Sequence, residues 1–170
     1  TGGINWNSVG YSPQTNALYA PTNNTCMDYY LNPVNPTVGG YHSSAVSLKI
    51  PVPEGDGQIG IFTAVDVATG EALWTYQQRA AITGSVLTTG GGLAFVTDDA
   101  RKFRAFDVDT GEILWEQILN SSAGGFPTTF SVDGIQYLAI AAGGGVNHRT
   151  LTPEIRQRSG GNMLFVFRLP

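Results

Sequence analysis

Asp66 and Asp107 are the first residues whose type and repeated spacing could support acid–base catalysis, because a positioned carboxyl group can transfer protons. Both occupy the same place in an eleven-residue sequence that occurs twice, 41 residues apart and with eight identical positions. The copies are AVDVATGEALW, which ends at Trp74, and AFDVDTGEILW, which ends at Trp115. In the order Asp-x-x-Thr-Gly, the polar side chains satisfy turn amides and the glycine takes a left-handed conformation. We therefore interpret both aspartates as structural.

The other reactive side chains form no recognisable catalytic or metal-binding set in the sequence. His42 and His148 are far apart and lack a defined Asp or Ser context, so we interpret them as structural or surface residues. Cys26 is the sole cysteine, which excludes an intrachain disulfide and a thiolate metal cluster. We expect it to be buried and inert. Glu54 and Asp56 lie in a Pro- and Gly-rich loop, where we expect their side chains to be exposed to solvent. The sequence thus predicts neither a catalytic residue nor a metal ligand.

The composition favours an all-β fold and argues against two classes of partner. The 170 residues include 22 glycines and 11% aromatic residues, with only 13% charged residues, which is typical of short strands joined by tight turns. The formal net charge of −4 argues against binding to nucleic acid or to an anionic membrane surface. No apolar run approaches the roughly 18 residues that a membrane-spanning helix needs.

The apolar pattern predicts three consecutive antiparallel meanders. Turn signals separate the apolar runs, and Asp133-Gly134 is the strongest of them. The predicted strands are 4–11, 18–21, 61–67 and 71–76 in the first unit, 84–88, 92–97, 103–108 and 112–118 in the second, and 125–132, 136–141 and 163–169 in the third. The units cover approximately 1–78, 79–119 and 120–170, and the last lacks an outer strand.

We interpret these meanders as propeller blades. Trp74 and Trp115 end the repeats and offer large flat faces for packing against a neighbouring blade. A propeller ring typically contains about four to eight blades, so three units cannot close one. The expected fold is all-β, with about three β-propeller blades built as four-stranded antiparallel meanders, the last of which lacks its outer strand. The chain is interpreted as the C-terminal piece of a larger propeller.

The tryptophan-ended repeats resemble the tryptophan-docking motifs of the pyrroloquinoline quinone (PQQ)-dependent alcohol dehydrogenases. Further matching segments follow in the same order along essentially the whole chain: GGINW at 2–6, YSPQT at 11–15, NNTCM at 23–27, TTGGGL at 88–93, GFP at 125–127, GIQY at 134–137 and GNMLFVF at 161–167. The resemblance implies that this chain supplies the last three blades of an eight-bladed propeller, whose other blades are in the rest of the propeller chain.

The same resemblance implies a function. The complete enzyme would be periplasmic and would oxidise a small alcohol with PQQ and a calcium or lanthanide ion, passing the electrons to a cytochrome c. The catalytic base and the metal ligands would lie in earlier blades. We therefore expect the 170-residue segment to be inactive alone.

Three residues are the cofactor-binding candidates that the resemblance implies. Asn5 and Trp6 match an Asn-Trp pair that reaches the quinone, where the amide can donate a hydrogen bond and the ring can shape the cavity. Thr83 stands where relatives place a bulky aromatic residue, so that it would widen the pocket or be peripheral. The glycine-rich segment 143–149 is expected to form a rim loop over the cavity.

Two alternatives to an enzyme segment are compatible with the sequence. The docking repeats also occur in non-enzymatic propeller scaffolds of the outer-membrane assembly type, although such a scaffold has no need for Asn5 and Trp6. The unpaired edge of the final predicted strand, 163–169, could also lead the chain to self-associate.

Overall fold

The structure, a computed structural model, describes residues 2–41, 44–144, 148–156 and 161–169. These residues contain thirteen strands and no helix, and so none that is long and apolar enough to span a membrane. The strands are β1 (Gly10–Ser12), β2 (Ala17–Asn23), β3 (Thr25–Leu31), β4 (Ala45–Pro51), β5 (Gly60–Asp66), β6 (Ala72–Gln78), β7 (Leu87–Thr88), β8 (Leu93–Thr97), β9 (Lys102–Asp107), β10 (Ile113–Ile118), β11 (Thr128–Val132), β12 (Ile135–Ala142) and β13 (Met163–Arg168).

Three antiparallel meander sheets follow one another along the chain. Their strand orders are β1-β2-β5-β6, β7-β8-β9-β10 and β11-β12-β13. The sheets have four, four and three strands among the described residues, which confirms the predicted all-β class. The division into blades at 1–78, 79–119 and 120–170 stays a prediction.

The first strand of each four-stranded sheet is much shorter than the sequence predicts. β1 has three residues and β7 has two, against predicted spans of 4–11 and 84–88. The segment before β1 instead borders a cavity and pairs through the bridge between Gly3 and Asn23. Before β7, the amides of Ser85 and Val86 donate to the carbonyls of Gly125 and Ser8.

A two-stranded hairpin, which the sequence analysis did not predict, is inserted between β2 and β5. β3 pairs antiparallel with β4, from Thr25 opposite Pro51 to Leu31 opposite Ala45. Cys26 on β3 is half-buried, because the hairpin forms its own sheet outside the meanders and is covered less completely than expected. The hairpin carries Lys49 to the wall of the cavity described below.

The repeated tryptophans pack between sheets. Trp74, on β6 of the first sheet, stacks nearly parallel to Phe106 of the second sheet, and its indole Nε1 donates a 3.0 Å hydrogen bond to the Val108 carbonyl. Trp115, on β10, packs edge-on against Phe167 of the third sheet. Each tryptophan therefore joins its own sheet to the next one, as the repeat predicts.

The aspartates of the repeats are turn residues, which confirms their structural interpretation. Asp66 accepts hydrogen bonds from the amides of Ala68 and Thr69 at 2.7 and 2.9 Å. Asp107 accepts the equivalent bonds from Asp109 and Thr110, both at 2.9 Å. These contacts use the carboxylates for turn formation, so neither aspartate contributes to the cavity.

Candidate functional site

A cavity of about 840 Å³ opens where strand ends of the first and third sheets and the loop before the second sheet meet the inserted hairpin. Its wall includes the segment before β1, the end of β2, the loop before β7, the glycines before β11, and the facing ends of β12 and β13. A concave site assembled from several elements, with a few polar groups directed into it, is the usual form of a ligand pocket.

Asn5 and Trp6 lie together on this wall, as the resemblance implies. The Trp6 side chain is 56% exposed, and its ring lies 6.3 Å from that of Phe126, centroid to centroid, at an angle of 55°. The indole lies beside Gly124, where a Cβ atom would be 3.5 Å from Cη2 of Trp6, an ordinary van der Waals distance. Trp6 therefore presents an uncovered aromatic surface to the cavity.

Thr83 also lines the cavity, from the loop before β7. Its backbone carbonyl accepts a hydrogen bond from the amide side chain of Asn7, which ties the loop to the segment that carries Asn5 and Trp6. The Thr83 hydroxyl is buried and has no hydrogen-bond partner in the described part of the chain. A buried polar atom without a hydrogen-bond partner costs free energy. A ligand that forms a hydrogen bond with the Thr83 hydroxyl would remove this cost.

The predicted rim loop is only partly described. Gly143 and Gly144 line the cavity, and both amides donate 3.1 Å hydrogen bonds to the carbonyl of Ser122. Residues 145–147 lie outside the described residues, as does His42. His148, at the end of the loop, is 5% exposed and lines the cavity.

The most polar part of the wall is a contact among three residues that the sequence analysis did not bring together. His148 Nδ1 lies 3.0 Å from Oδ2 of Asp99, a carboxylate with no exposed surface. The other ring nitrogen, Nε2, lies 3.4 Å from Nζ of Lys49. The only signal in the sequence is the acidic pair Asp98-Asp99 directly after the buried strand β8, because consecutive carboxylates at such a place require partners.

The electrostatics of the wall favour negative charge in the cavity. Lys49 is charged, whereas no carboxylate is found among the lining residues that the structure describes. Burial lowers the pKa of the Lys49 ammonium, and the Asp99 carboxylate counteracts this in part. Four asparagines add amide groups to the wall: Asn5, Asn7, Asn23 and Asn162.

Two of these amides are already committed to the fold, since Asn7 donates to the Thr83 carbonyl and Asn23 bonds to Ile82. The Asn23 side chain accepts a bond from the Ile82 amide and donates one to the Ile82 carbonyl, both at 2.9 Å. It therefore joins the first sheet to the second below the cavity. No group of three or more His, Cys, Asp or Glu side chains placed to hold a metal ion occurs among the described residues.

Comparison with known proteins gives one consistent result. The family described as "PQQ: Glucose/ethanol/alcohol dehydrogenase, beta-propeller domain" matches residues 77–138. The chain is 30% identical to a quinoprotein alcohol dehydrogenase of Pseudomonas putida and 34% identical to the 1-butanol dehydrogenase (quinone) of Thauera butanivorans. Each alignment covers 99% of this chain but only 29% and 27% of the relative, so the chain spans less than a third of their length.

The same likeness is found among solved structures. A europium-containing methanol dehydrogenase superposes with a TM-score of 0.84 at 29% identity, covering 98% of this chain and 33% of that one. Together with the family match, this likeness confirms the predicted β-propeller fold and shows that the three meander sheets form part of a propeller.

Proposed function

We propose that this chain is the C-terminal part of the propeller of a PQQ-dependent alcohol dehydrogenase and forms one wall of its cofactor site. The basis is that the chain belongs to the family of PQQ-dependent quinoprotein alcohol dehydrogenases. The observation that carries the proposal is the cavity of about 840 Å³, which is lined by the Asn5 and Trp6 pair of the family motif. The parent protein would oxidise an alcohol to an aldehyde.

The residues present fit PQQ, a planar quinone that carries several carboxylates. Trp6 offers an exposed aromatic face, Asn5 offers amide donors, and Thr83 offers a buried hydroxyl without a partner in the described chain. Lys49 adds a positive charge to a wall whose described residues include no carboxylate. Flat faces, hydrogen-bond donors and positive charge are what such a molecule requires. When bound, PQQ would accept the electrons that leave the alcohol carbon.

Each candidate residue has a distinct part in this proposal. The Asn5 amide donates a hydrogen bond to a quinone or carboxylate oxygen. Trp6 covers one side of the cavity and excludes water, which strengthens the polar contacts made there. Thr83 is small and leaves room beside Gly124 and Gly125, which also line the cavity.

The remaining chemistry belongs to the rest of the parent protein in this proposal. The catalytic base and the ligands of a calcium or lanthanide ion would come mainly from residues outside this segment. The segment alone would then not turn over alcohol. A periplasmic location, a small alcohol substrate and a cytochrome c acceptor complete the proposed function, and their support is the resemblance to the family.

A titration of the intact protein with PQQ, followed by quenching of tryptophan fluorescence, tests the proposal. Asn5→Ala should weaken PQQ binding about tenfold, as expected for the loss of one buried hydrogen bond to a charged group. Asn35→Ala, in an exposed loop outside the cavity, is the matched control and should bind as wild type does. Unchanged binding by Asn5→Ala would remove Asn5 from the site.

Two further outcomes would contradict the proposal itself. Alcohol oxidation by the isolated 170 residues, supplied with PQQ, calcium and a dye acceptor, would show that catalysis does not depend on other parts of the protein. Failure of the intact wild-type protein to bind PQQ would favour a non-enzymatic propeller scaffold.

A further inference from the structure

The contact among Asp99, His148 and Lys49 joins three distant parts of the chain at the cavity wall. Asp99 follows β8, His148 follows the glycine-rich loop, and Lys49 lies on the inserted hairpin. The Asp99 carboxylate is fully buried behind His148, while His148 and Lys49 line the cavity. The order from the interior to the cavity is therefore carboxylate, imidazole and amine.

The hydrogen-bonding chemistry of these groups fixes how the protons are arranged. A carboxylate only accepts and an ammonium only donates, so the imidazole between them must do both. The tautomer that meets this requirement donates from Nδ1–H to Asp99 at 3.0 Å and accepts at Nε2 from Lys49 Nζ at 3.4 Å. In this arrangement the positive charge of the group lies on the amine, at the side that faces the cavity.

The backbone holds the two inner members rigidly. The Asp99 amide donates to the Ala81 carbonyl at 2.9 Å, and the Asp99 carbonyl accepts from the Ser122 hydroxyl at 2.9 Å. The His148 carbonyl accepts from the amides of Leu151 and Thr152 at 2.9 and 3.0 Å. A charged group held by such a fixed partner loses little conformational freedom when it binds a ligand.

We propose that Lys49, oriented by His148 and Asp99, binds a carboxylate group of the molecule that occupies the cavity. The inference deepens the proposed function, on which it rests for the identity of the cavity as a cofactor and substrate site. Two sources of the carboxylate are compatible with this chemistry: the cofactor PQQ, or an alcohol substrate that also carries an acid group. The absence of any carboxylate among the described lining residues is what makes an anion the fitting occupant.

The first arm of the test uses the cofactor. Apoprotein of the intact chain is titrated with PQQ and with the uncharged trimethyl ester of PQQ, and binding is followed by fluorescence. If PQQ supplies the carboxylate, Lys49→Met should weaken PQQ binding about tenfold to a hundredfold, as expected for a lost charge-assisted hydrogen bond, and leave ester binding unchanged. Lys102→Met removes the amine of an ion pair outside the cavity and is the matched control.

The second arm uses the substrate. Calorimetric titration compares the binding of 4-hydroxybutanoate with that of 1-butanol. The protein is loaded with PQQ if the first arm detects PQQ binding, and the apoprotein is used if it does not. If the substrate supplies the carboxylate, Lys49→Met should weaken binding of 4-hydroxybutanoate alone, by the same factor. His148→Ala should show a smaller loss in whichever arm responds, since His148 only positions the amine, and Lys49→Arg should retain most of the affinity.

The outcomes separate this inference from the proposed function. Wild-type protein that does not bind PQQ would overturn the proposed function, and Lys49-dependent binding of 4-hydroxybutanoate would still support the carboxylate site. If Lys49→Met equals Lys102→Met for both PQQ and 4-hydroxybutanoate, or if neither molecule binds, the carboxylate site is overturned. PQQ binding that is insensitive to Lys49, with no Lys49-dependent binding of the hydroxy acid, would overturn the inference and leave the proposed function standing.

Discussion

The indole of Trp74 lies directly over Gly111, the glycine of the following repeat. A Cβ atom at Gly111 would be only 2.6 Å from Cδ2 of Trp74, closer than side chains approach one another. The same indole donates to the carbonyl of Val108, at the start of the same turn. The tryptophan of one repeat is thus received by the turn of the next, which is why the two parts of the motif recur together.

This contact predicts that two equivalent glycines differ in their tolerance of a side chain. Gly70 and Gly111 hold the same repeat position with φ of 76° and 73°, but a Cβ at Gly70 meets nothing within 4 Å. Gly70→Ala should cost about 1–2 kcal/mol for the left-handed backbone alone. Gly111→Ala should cost about 2–5 kcal/mol, because overpacking against Trp74 is added. Unfolding in urea measures the free energy of unfolding of both variants. Equal losses of stability would show that the Trp74 indole moves away from an added Cβ atom without cost.

A buried ion pair of the second sheet, hydrogen-bonded to the first sheet through Gln78, supports a second prediction. Arg104 contacts Asp98 at 2.8 Å, and both side chains also bind Gln78 of the neighbouring sheet. Burial raises the pKa of Asp98, and the Arg104 guanidinium lowers it in part. Asp98→Ala should destabilise the protein by about 1.5–3 kcal/mol, since Arg104 loses its buried charged partner and keeps the 2.7 Å ion pair with the less buried Glu116.

The matched variant of this pair is the double substitution Asp98→Leu with Arg104→Met. It removes both charges together and should be less destabilising than Asp98→Ala. Unfolding in urea compares the two proteins. If the double variant loses as much stability as Asp98→Leu and Arg104→Met lose in sum when each is measured alone, the two side chains act independently.

Much of the fold is predictable from the sequence because the repeat carries local information. The Asp66 and Asp107 turns, the strands around them and the role of Trp74 all follow from residues within about ten positions of one another. The hairpin of β3 and β4 does have a local signal, since Val46, Leu48 and Ile50 alternate with polar residues. Its partner strand lies beyond a loop of 13 residues, 32–44, whereas hairpin loops usually have about two to five.

The cavity shows the limit of such prediction. Asn5, Trp6 and Thr83 are placed together by a resemblance that covers the whole chain. The contact of Asp99 with His148 instead spans 49 residues, and that of His148 with Lys49 spans 99. Neither interval corresponds to a strand or turn period, so only the packed sheets bring these side chains together.

The pH dependence of stability provides a third prediction. Hydrogen bonds from the Thr110 amide, and then from its hydroxyl and the Asp109 amide, hold the pKa of Asp107 below its ordinary value. A carboxyl group whose pKa is lower in the folded state stabilises above its unfolded pKa of about 4, and this contribution is lost as the pH falls through the lower folded value. The stability difference between wild type and Asp107→Asn should therefore shrink as the pH is lowered from about 5.

Asp109→Asn is the control for this pH series. Asp109 lies two residues away, and its carboxylate accepts no hydrogen bond from the described residues of this turn. Its difference from wild type should change less over the same interval in urea unfolding. A constant difference for Asp107→Asn would contradict the role assigned to its ionised carboxylate.

The unpartnered hydroxyl of Thr83 leads to a prediction in which stability and ligand binding move in different directions. Thr83→Val keeps the shape of the side chain and removes the buried hydroxyl, so the ligand-free protein should be unchanged or more stable by about 1 kcal/mol. The same variant should bind PQQ several-fold more weakly if the hydroxyl finds its partner in the ligand.

Thr97→Val is the matched control, because the Thr97 hydroxyl donates to the Ala123 carbonyl within the protein, and its loss should cost about 1–2 kcal/mol. Thermal unfolding and PQQ titration of both variants check the two effects. A Thr83→Val protein that loses stability as Thr97→Val does, with unaltered PQQ affinity, would assign the Thr83 hydroxyl to the fold and not to the ligand.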